Sequence, residues 1–313
     1  MRFLRRLLDV ALTLFGVAVV TFLMVRLIPG DPVDIMLGTN AAVSAERAEE
    51  LRDLYGLNEP IVGQFTAWMG RIVSGDLGVS LRTGEPIREA LLRRLPVTLE
   101  LTALAMGVAL LVGIPVGVAA ALRQDTWVDH VLRVFSLVAM SIPNFVIAVI
   151  ALLVGSIVFK WTPPLGYVSL LEDPVANLQQ VFLPVLTLSA ISLAFVVRMM
   201  RSSMLEVLKQ DHVRTARAKG VRTWRVVVMH EIRNALIPVV AIVGIQIAVL
   251  LGGTVIIEQV FSLPGLGRLA LNAISQRDYP VVQAVILLVA VMVVLTNLFV
   301  ELLYSVLEPR MRQ

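Results

Sequence analysis

Hydrophobic and polar positions along this chain sort into long blocks, with charge collected between them. Six apolar blocks cover approximately residues 10–28, 97–122, 131–159, 181–200, 235–257 and 281–304. A helix needs about 20 apolar residues to cross hydrocarbon, where no water satisfies an exposed peptide group. The blocks therefore predict six transmembrane helices. Pro115, Pro143, Pro184 and Pro238 fall inside or near the ends of four of them. Proline is tolerated there because neighbouring helices satisfy the freed carbonyls. Gly107, Gly113 and Gly117 recur along the second block and predict a close helix–helix approach.

The longest polar interruption, 29–96, predicts the one sizeable extramembrane segment. Within it, SAERAEELRDLYGLN sets Ala45, Ala48, Leu51, Leu54 and Tyr55 at helical spacing, with Ser44 as N-cap and Gly56 as stop. A second amphipathic helix, Pro60 to Ser74, is expected to bury Ile61, Phe65, Trp68 or Met69, and Ile72. GDLG, Gly75 to Gly78, then turns the chain. The organisation reads as 1–28 (N-terminus and first span), 29–96 (helical segment) and 97–313 (a five-helix core with a polar loop at about 202–234).

Composition agrees with the pattern. The chain is 58% hydrophobic and 16% charged, with a mean hydropathy of +0.85. Soluble domains carry roughly a quarter of their residues charged, so the class is all-α integral membrane protein. There is no cysteine, which removes disulfides, thiolate metal sites and cysteine nucleophiles. The start, MRFLRRLLDV, is basic, and the apolar run after it ends in IPGDP, a poor cleavage site. It reads as an uncleaved first span rather than a signal peptide. With a cytoplasmic N-terminus, the inside segments hold 16 Lys/Arg and the short outside loops 160–180 and 258–280 hold 3. That asymmetry puts both termini in the cytoplasm and 29–96 outside.

Several chemistries are missing. No G-x-x-x-x-G-K-[ST] phosphate loop occurs, so this chain is not expected to hydrolyse ATP itself. No G-x-S-x-G elbow and no H-E-x-x-H zinc helix occurs either. His130, His212 and His230 have no carboxylate–histidine spacing of a metal site. The catalytic, metal-ligating and cofactor-binding residue sets are therefore empty. Intramembrane polar residues remain as pointers. Glu100 lies early in the second span, at the depth where Arg26 ends the first, and the two can pair. Asn144, Gln246 and Asn297 are amides at buried depth, there either to hydrogen-bond between helices or to contact a substrate.

The densest basic stretch is Val213 to Leu236, VRTARAKGVRTWRVVVMHEIRNAL. A helix is expected to leave the fourth span through Leu205, Leu208, Val213 and Ala216, and to end at Lys219–Gly220. A second starts near Thr223, with Trp224 at the interface. Ala216, Ala218 and Gly220 are small enough for a partner surface to approach the backbone.

This segment resembles the cytoplasmic coupling loop of the integral membrane subunits of ABC importers. Against the family's general E-A-A-x-x-x-G pattern placed on Gly220, the Gly and Ala216 match. Arg214 and Thr215 depart from it, as do His230 and Arg233 at the later slots. One branch matches more closely. VRTARAKG (Val213 to Gly220) and RNALIPV (Arg233 to Val239) resemble permeases that import dipeptides, oligopeptides, glutathione or nickel. IPGDP, GDLG, LPGLGR (Leu263 to Arg268), RDYP (Arg277 to Pro280) and EPR (Glu308 to Arg310) extend that resemblance along the whole chain.

The resemblance implies an ABC importer type I permease fold in a bacterial cytoplasmic membrane, forming half of a translocation pathway beside a second related permease subunit. Two ABC ATPase subunits, which carry the ATP and Mg, are implied at a coupling loop of Arg214, Thr215, Ala216, Arg217, Ala218, Lys219, Gly220, Val221 and Trp224. An extracytoplasmic solute-binding protein is implied outside. Candidate contacts for it are 29–96, with ten acidic and seven basic residues, and the loop residues Glu258, Arg268, Arg277 and Asp278. Peptides are the expected cargo, with glutathione or nickel as alternatives in the same family. A stand-alone channel or secondary transporter needs intramembrane acids for ion coupling, and only Glu100 qualifies. Binding of membrane lipid by the basic loop is compatible with the importer reading. Nucleic acid is not expected, since one aromatic makes no stacking platform.

Overall fold

The computed structural model describes residues 2–27, 58–211, 213, 227 and 231–307. Among these, the long elements are all α-helices: α1 (Arg2–Leu27), α2 (Ile61–Val73), α3 (Ile87–Leu122), α4 (Trp127–Ser141), α5 (Asn144–Ile157), α6 (Pro174–Leu208), α7 (Ile232–Val260), α8 (Leu266–Ser275) and α9 (Tyr279–Leu307). Five of them, α1, α3, α6, α7 and α9, are long and apolar enough to cross a bilayer unbroken. The pair α4–α5 supplies a sixth crossing when taken as one span.

That pair corrects the expectation of a continuous third helix over 131–159. α4 stops at Ser141 and α5 starts at Asn144, with a 103° bend between them. Pro143 causes the break. It forces its predecessor out of the helical region, and Ile142 is extended at φ −95°, ψ 124°. Pro184 and Pro238, by contrast, sit inside the unbroken α6 and α7. The second span also starts earlier than its apolar block, at Ile87, ten residues before residue 97.

The chain divides into two compact units. The first comprises Met1–Pro96 and Arg268–Val294. In it, α1 packs on α2 through rings: Phe22 lies 5.3 Å from Phe65 and 5.5 Å from Trp68 between centroids. Phe65, Trp68, Met69 and Ile72 are half-buried, whereas Ile61 is exposed, which corrects the expected buried set. Ile61 is the first residue of α2, where no preceding turn exists to cover it. Gly75 and Gly78, at φ 84° and 78°, reverse the chain after α2.

The second unit comprises Val97–Gly267 and Leu295–Gln313. Its core runs through Leu101, Ala105 and Ala109 of α3, Leu188, Met200 and Met204 of α6, and Ile257 of α7. α6 is the central helix, packed on α4, α5 and α7. Asp173 caps its start by accepting from Val175 and Ala176 N–H at 3.0 and 3.1 Å, with Pro174 in the first turn. α3 comes close to α6 at two glycines. A Cβ on Gly113 would stand 2.8 Å from Val196, and one on Gly117 2.8 Å from the Val197 carbonyl. Gly107 meets nothing within 4 Å, so it plays no part in the expected close approach. Large apolar side chains remain exposed along the outward faces, among them Leu111, Phe135 and Leu295. A water-soluble chain does not show such surface; a helix facing lipid does.

Candidate functional site

The coupling-loop residues named from the sequence, Arg214 to Val221 and Trp224, lie outside the described residues. So do the expected helix over 44–55, IPGDP and EPR. The shoulders of the loop are described. α6 continues to Leu208, with Met204 and Val207 buried, and Val213, Val227 and Glu231 are also buried in the second unit. The chain therefore enters and leaves this segment from fixed, packed positions.

Of the four loop residues expected to meet a binding protein, two are buried. Glu258 is 0% exposed near the end of α7. The Thr98 hydroxyl of α3 donates to its carboxylate at 2.7 Å and accepts from Leu266 N–H at 2.9 Å. Leu263 N–H donates to the Glu258 carbonyl at 2.8 Å. The LPGLGR loop is thereby fastened to the helix it follows. Its two glycines have steric reasons: a Cβ on Gly265 would stand 2.2 Å from the Glu258 carboxyl carbon, and one on Gly267 2.4 Å from Val255 Cα. Glu258 is a fastener inside the unit, not a contact surface.

Asp278 behaves similarly in the first unit. It is buried, accepting from the Ser80 hydroxyl and from Leu81 N–H at 3.3 Å. Arg82 Nε donates to the Gln276 carbonyl at 2.8 Å. These contacts clip the turn at 79–86 to the turn before α9. Arg277 is exposed and Arg268 half-buried. The loop 258–280 also contains α8, which block hydropathy missed because ten residues cannot make a span. The signal was present as Leu266, Leu269, Ala270 and Ala273 at helical spacing.

The intramembrane polar residues divide. Glu100 accepts from the Tyr167 hydroxyl at 2.5 Å, while Arg26 lies 5.2 Å over the Phe22 ring, so each finds a partner other than the expected one. Burial and then the Glu100 carboxylate push the Tyr167 hydroxyl well above its ordinary pKa, so it stays a donor. Gln246 is buried, and its Nε2 has no partner among the described residues; neither does Oδ1 of Asn144. Asn297, expected at buried depth, is exposed beside Gly244 of α7.

One charged pair escaped the sequence reading. Asp129, 0% exposed at the start of α4, takes two hydrogen bonds from Arg201 of α6, at 2.5 and 2.7 Å. It also caps the preceding turn by accepting from Asp125 N–H at 3.1 Å. Asp129 stands two residues before the apolar block, where a carboxylate reads as a loop charge. The only sequence signal was a carboxylate one helical turn from a span, with an arginine at matching depth in α6.

Helices of spanning length, lipid-facing apolar surfaces and carboxylates spent on internal fastening define a multi-pass membrane component. Comparison with known proteins specifies which. Residues 113–313 match the model of the binding-protein-dependent transport system inner membrane component, and residues 1–102 match its N-terminal companion. The chain belongs to this family of inner membrane transport components. It is 42% identical to the di/tripeptide transport system permease DppB of Pseudomonas aeruginosa, over 96% of this chain and 95% of that one. It is 41% identical to the dipeptide transport system permease DppB of Escherichia coli K12, over 99% and 98%. Among solved structures, an inward-facing MetNI methionine ABC transporter matches with a TM-score of 0.56 at 18% identity, covering 71% of this chain and 98% of that one. At that identity the match shows a shared fold.

Proposed function

We propose that this chain is the permease subunit of a peptide importer, with di- and tripeptides as cargo. The observation that carries the reading is end-to-end similarity to two di- or tripeptide permeases at 41–42% identity. Both termini are cytoplasmic, as the Lys/Arg asymmetry supports. A second, related permease completes the pathway. Two ABC ATPase subunits bring ATP and Mg to the segment 214–224, and a solute-binding protein delivers peptide on the far side, where Arg277 is exposed. The small residues Ala216, Ala218 and Gly220 let the ATPase close on the loop. Nucleotide then biases a bistable rigid-body change between inward- and outward-facing states. Loop shoulders packed at Val213, Val227 and Glu231 suit that role, because a push on the segment reaches α6 and α7 without slack.

The test is reconstitution. The chain co-purifies with an ATPase subunit, and a labelled dipeptide accumulates in vesicles only with ATP, the binding protein and the second permease present. Gly220→Trp abolishes peptide-stimulated ATP hydrolysis while leaving the chain in the membrane. Uptake by the chain alone, without an ATPase, sinks the reading; uptake of nickel or glutathione in place of dipeptide overturns the cargo only.

A further inference from the structure

A small cavity of about 130 Å³ opens beside the Asp129–Arg201 pair in the second unit. Its walls are apolar: Ala120 of α3, Leu132 and Leu137 of α4, and Val197 of α6. Three guanidinium groups border it, those of Arg133, Arg198 and Arg201. Asp129 is occupied by Arg201 and stands 3.7 Å from Arg133. One carboxylate against three guanidinium groups leaves a surplus of positive charge over a greasy slot. Arg198 is exposed and has no acidic partner among the described residues.

The slot does not end at a polar surface. The adjoining face of α4 is apolar and more than half exposed at Val134, Phe135, Leu137 and Val138. Trp127, 76% exposed, starts the same helix at its charged end, the usual depth of an interfacial aromatic. A soluble anion makes no use of the apolar walls, and an uncharged lipid makes none of the arginines. A phosphate with an acyl chain beneath it uses both, and basic pockets between spans on the cytoplasmic side bind anionic head groups in this way.

We propose that this slot holds one anionic phospholipid of the inner leaflet, its phosphate on Arg133 and Arg198 and an acyl chain along Leu132, Leu137 and Val197. The inference rests on the proposed orientation, which puts the α3–α4 turn in the cytoplasm. Each basic residue near a membrane surface is worth about fivefold in affinity for anionic lipid, so two give a preference of about twenty-fivefold.

The purified full chain is exchanged in mild detergent against phosphatidylglycerol or phosphatidylcholine, and retained lipid is counted by native mass spectrometry. Wild type retains phosphatidylglycerol with the preference stated, and R133Q/R198Q brings that preference close to one. Leu137→Trp keeps the charge but fills the slot, and lowers retention of both lipids. Absence of a preference in wild type overturns the proposal, as does a preference that survives the double variant. If sn-glycerol 3-phosphate displaces phosphatidylglycerol at equal concentration, the ligand is a free phosphate and the lipid assignment falls. If the preference vanishes once the second permease is bound, the face is a protein interface and the assignment falls equally. Orientation is tested separately, because the chain has no cysteine of its own. Gln124→Cys should resist a membrane-impermeant maleimide in intact cells; labelling there refutes the inner-leaflet placement whatever the lipid result.

Discussion

Of the fully buried carboxylates in the second unit, Glu258 and Asp129 are satisfied in different ways. Glu258 faces a neutral partner, the Thr98 hydroxyl, which passes the connection on to Leu266 N–H. Asp129 faces the Arg201 guanidinium in a two-bond pair. Both tie a turn to a long helix, so the fastening is alike, but the residue left behind on mutation is not. A hydroxyl without its partner is a modest loss, whereas a guanidinium without its carboxylate is a buried charge. The contrast separates a clip that holds a loop from a pair that constrains which charges the spans tolerate.

The contrast is tested most severely at Asp129. Asp129→Ala strands Arg201, whose side chain is only 17% exposed, and should cost about 3–5 kcal/mol. Thermal unfolding of the solubilised chain measures it. Asp129→Leu combined with Arg201→Met removes both charges and should recover most of that loss. A double variant as unstable as the single one would mean that packing, not charge, sets the cost. Thr98→Val comes next, at about 1–3 kcal/mol, because it takes a hydrogen bond from the Glu258 carboxylate and leaves Leu266 N–H without its acceptor. Its signature is local: hydrogen exchange should rise over 263–275 before the spans respond.

The six apolar blocks were legible because each must satisfy its own backbone in hydrocarbon, and block length alone reports that demand. Pro143 was not, since Pro184 and Pro238 stand in similar apolar settings and stay helical. Whether a proline breaks a span depends on neighbours that sequence does not order. Glu258 and Asp278 were misplaced for a related reason. Loop charge normally means solvent, and only the fold reveals that Thr98, 160 residues away, and Ser80, 198 residues away, turn inward to meet them. LPGLGR was legible as a signature but not as a mechanism. Its glycines acquire a physical reason only once Gly265 is seen against the Glu258 carboxyl and Gly267 against the Val255 backbone.

The glycines of α3 extend the same comparison to neutral packing. Gly117→Ala drives a methyl against Met200 and the Val197 carbonyl, an overpacking worth about 1–3 kcal/mol. Gly107→Ala meets open space and gains helix propensity, so it should be neutral or stabilising by up to about 1 kcal/mol. Opposite signs in thermal unfolding check the α3–α6 approach; equal effects would contradict it.

The smallest destabilisation is expected from Ser80→Ala, in the first unit. Asp278 loses the hydroxyl but keeps Leu81 N–H at 3.3 Å, and Arg82 still reaches the Gln276 carbonyl. The carboxylate is therefore not orphaned, as Leu266 N–H would be without Thr98. The cost should stay near 0.5–1.5 kcal/mol, roughly that of one hydrogen bond. The Ser80 oxygen also accepts from Arg82 and Thr83 N–H, so the turn itself loosens. Hydrogen exchange should rise at 80–84 with little change in the melting temperature. A large drop in melting temperature would show instead that the Ser80–Asp278 clip supports its unit as Thr98 and Glu258 support theirs, and the distinction between a redundant and an irreplaceable fastener would go with it.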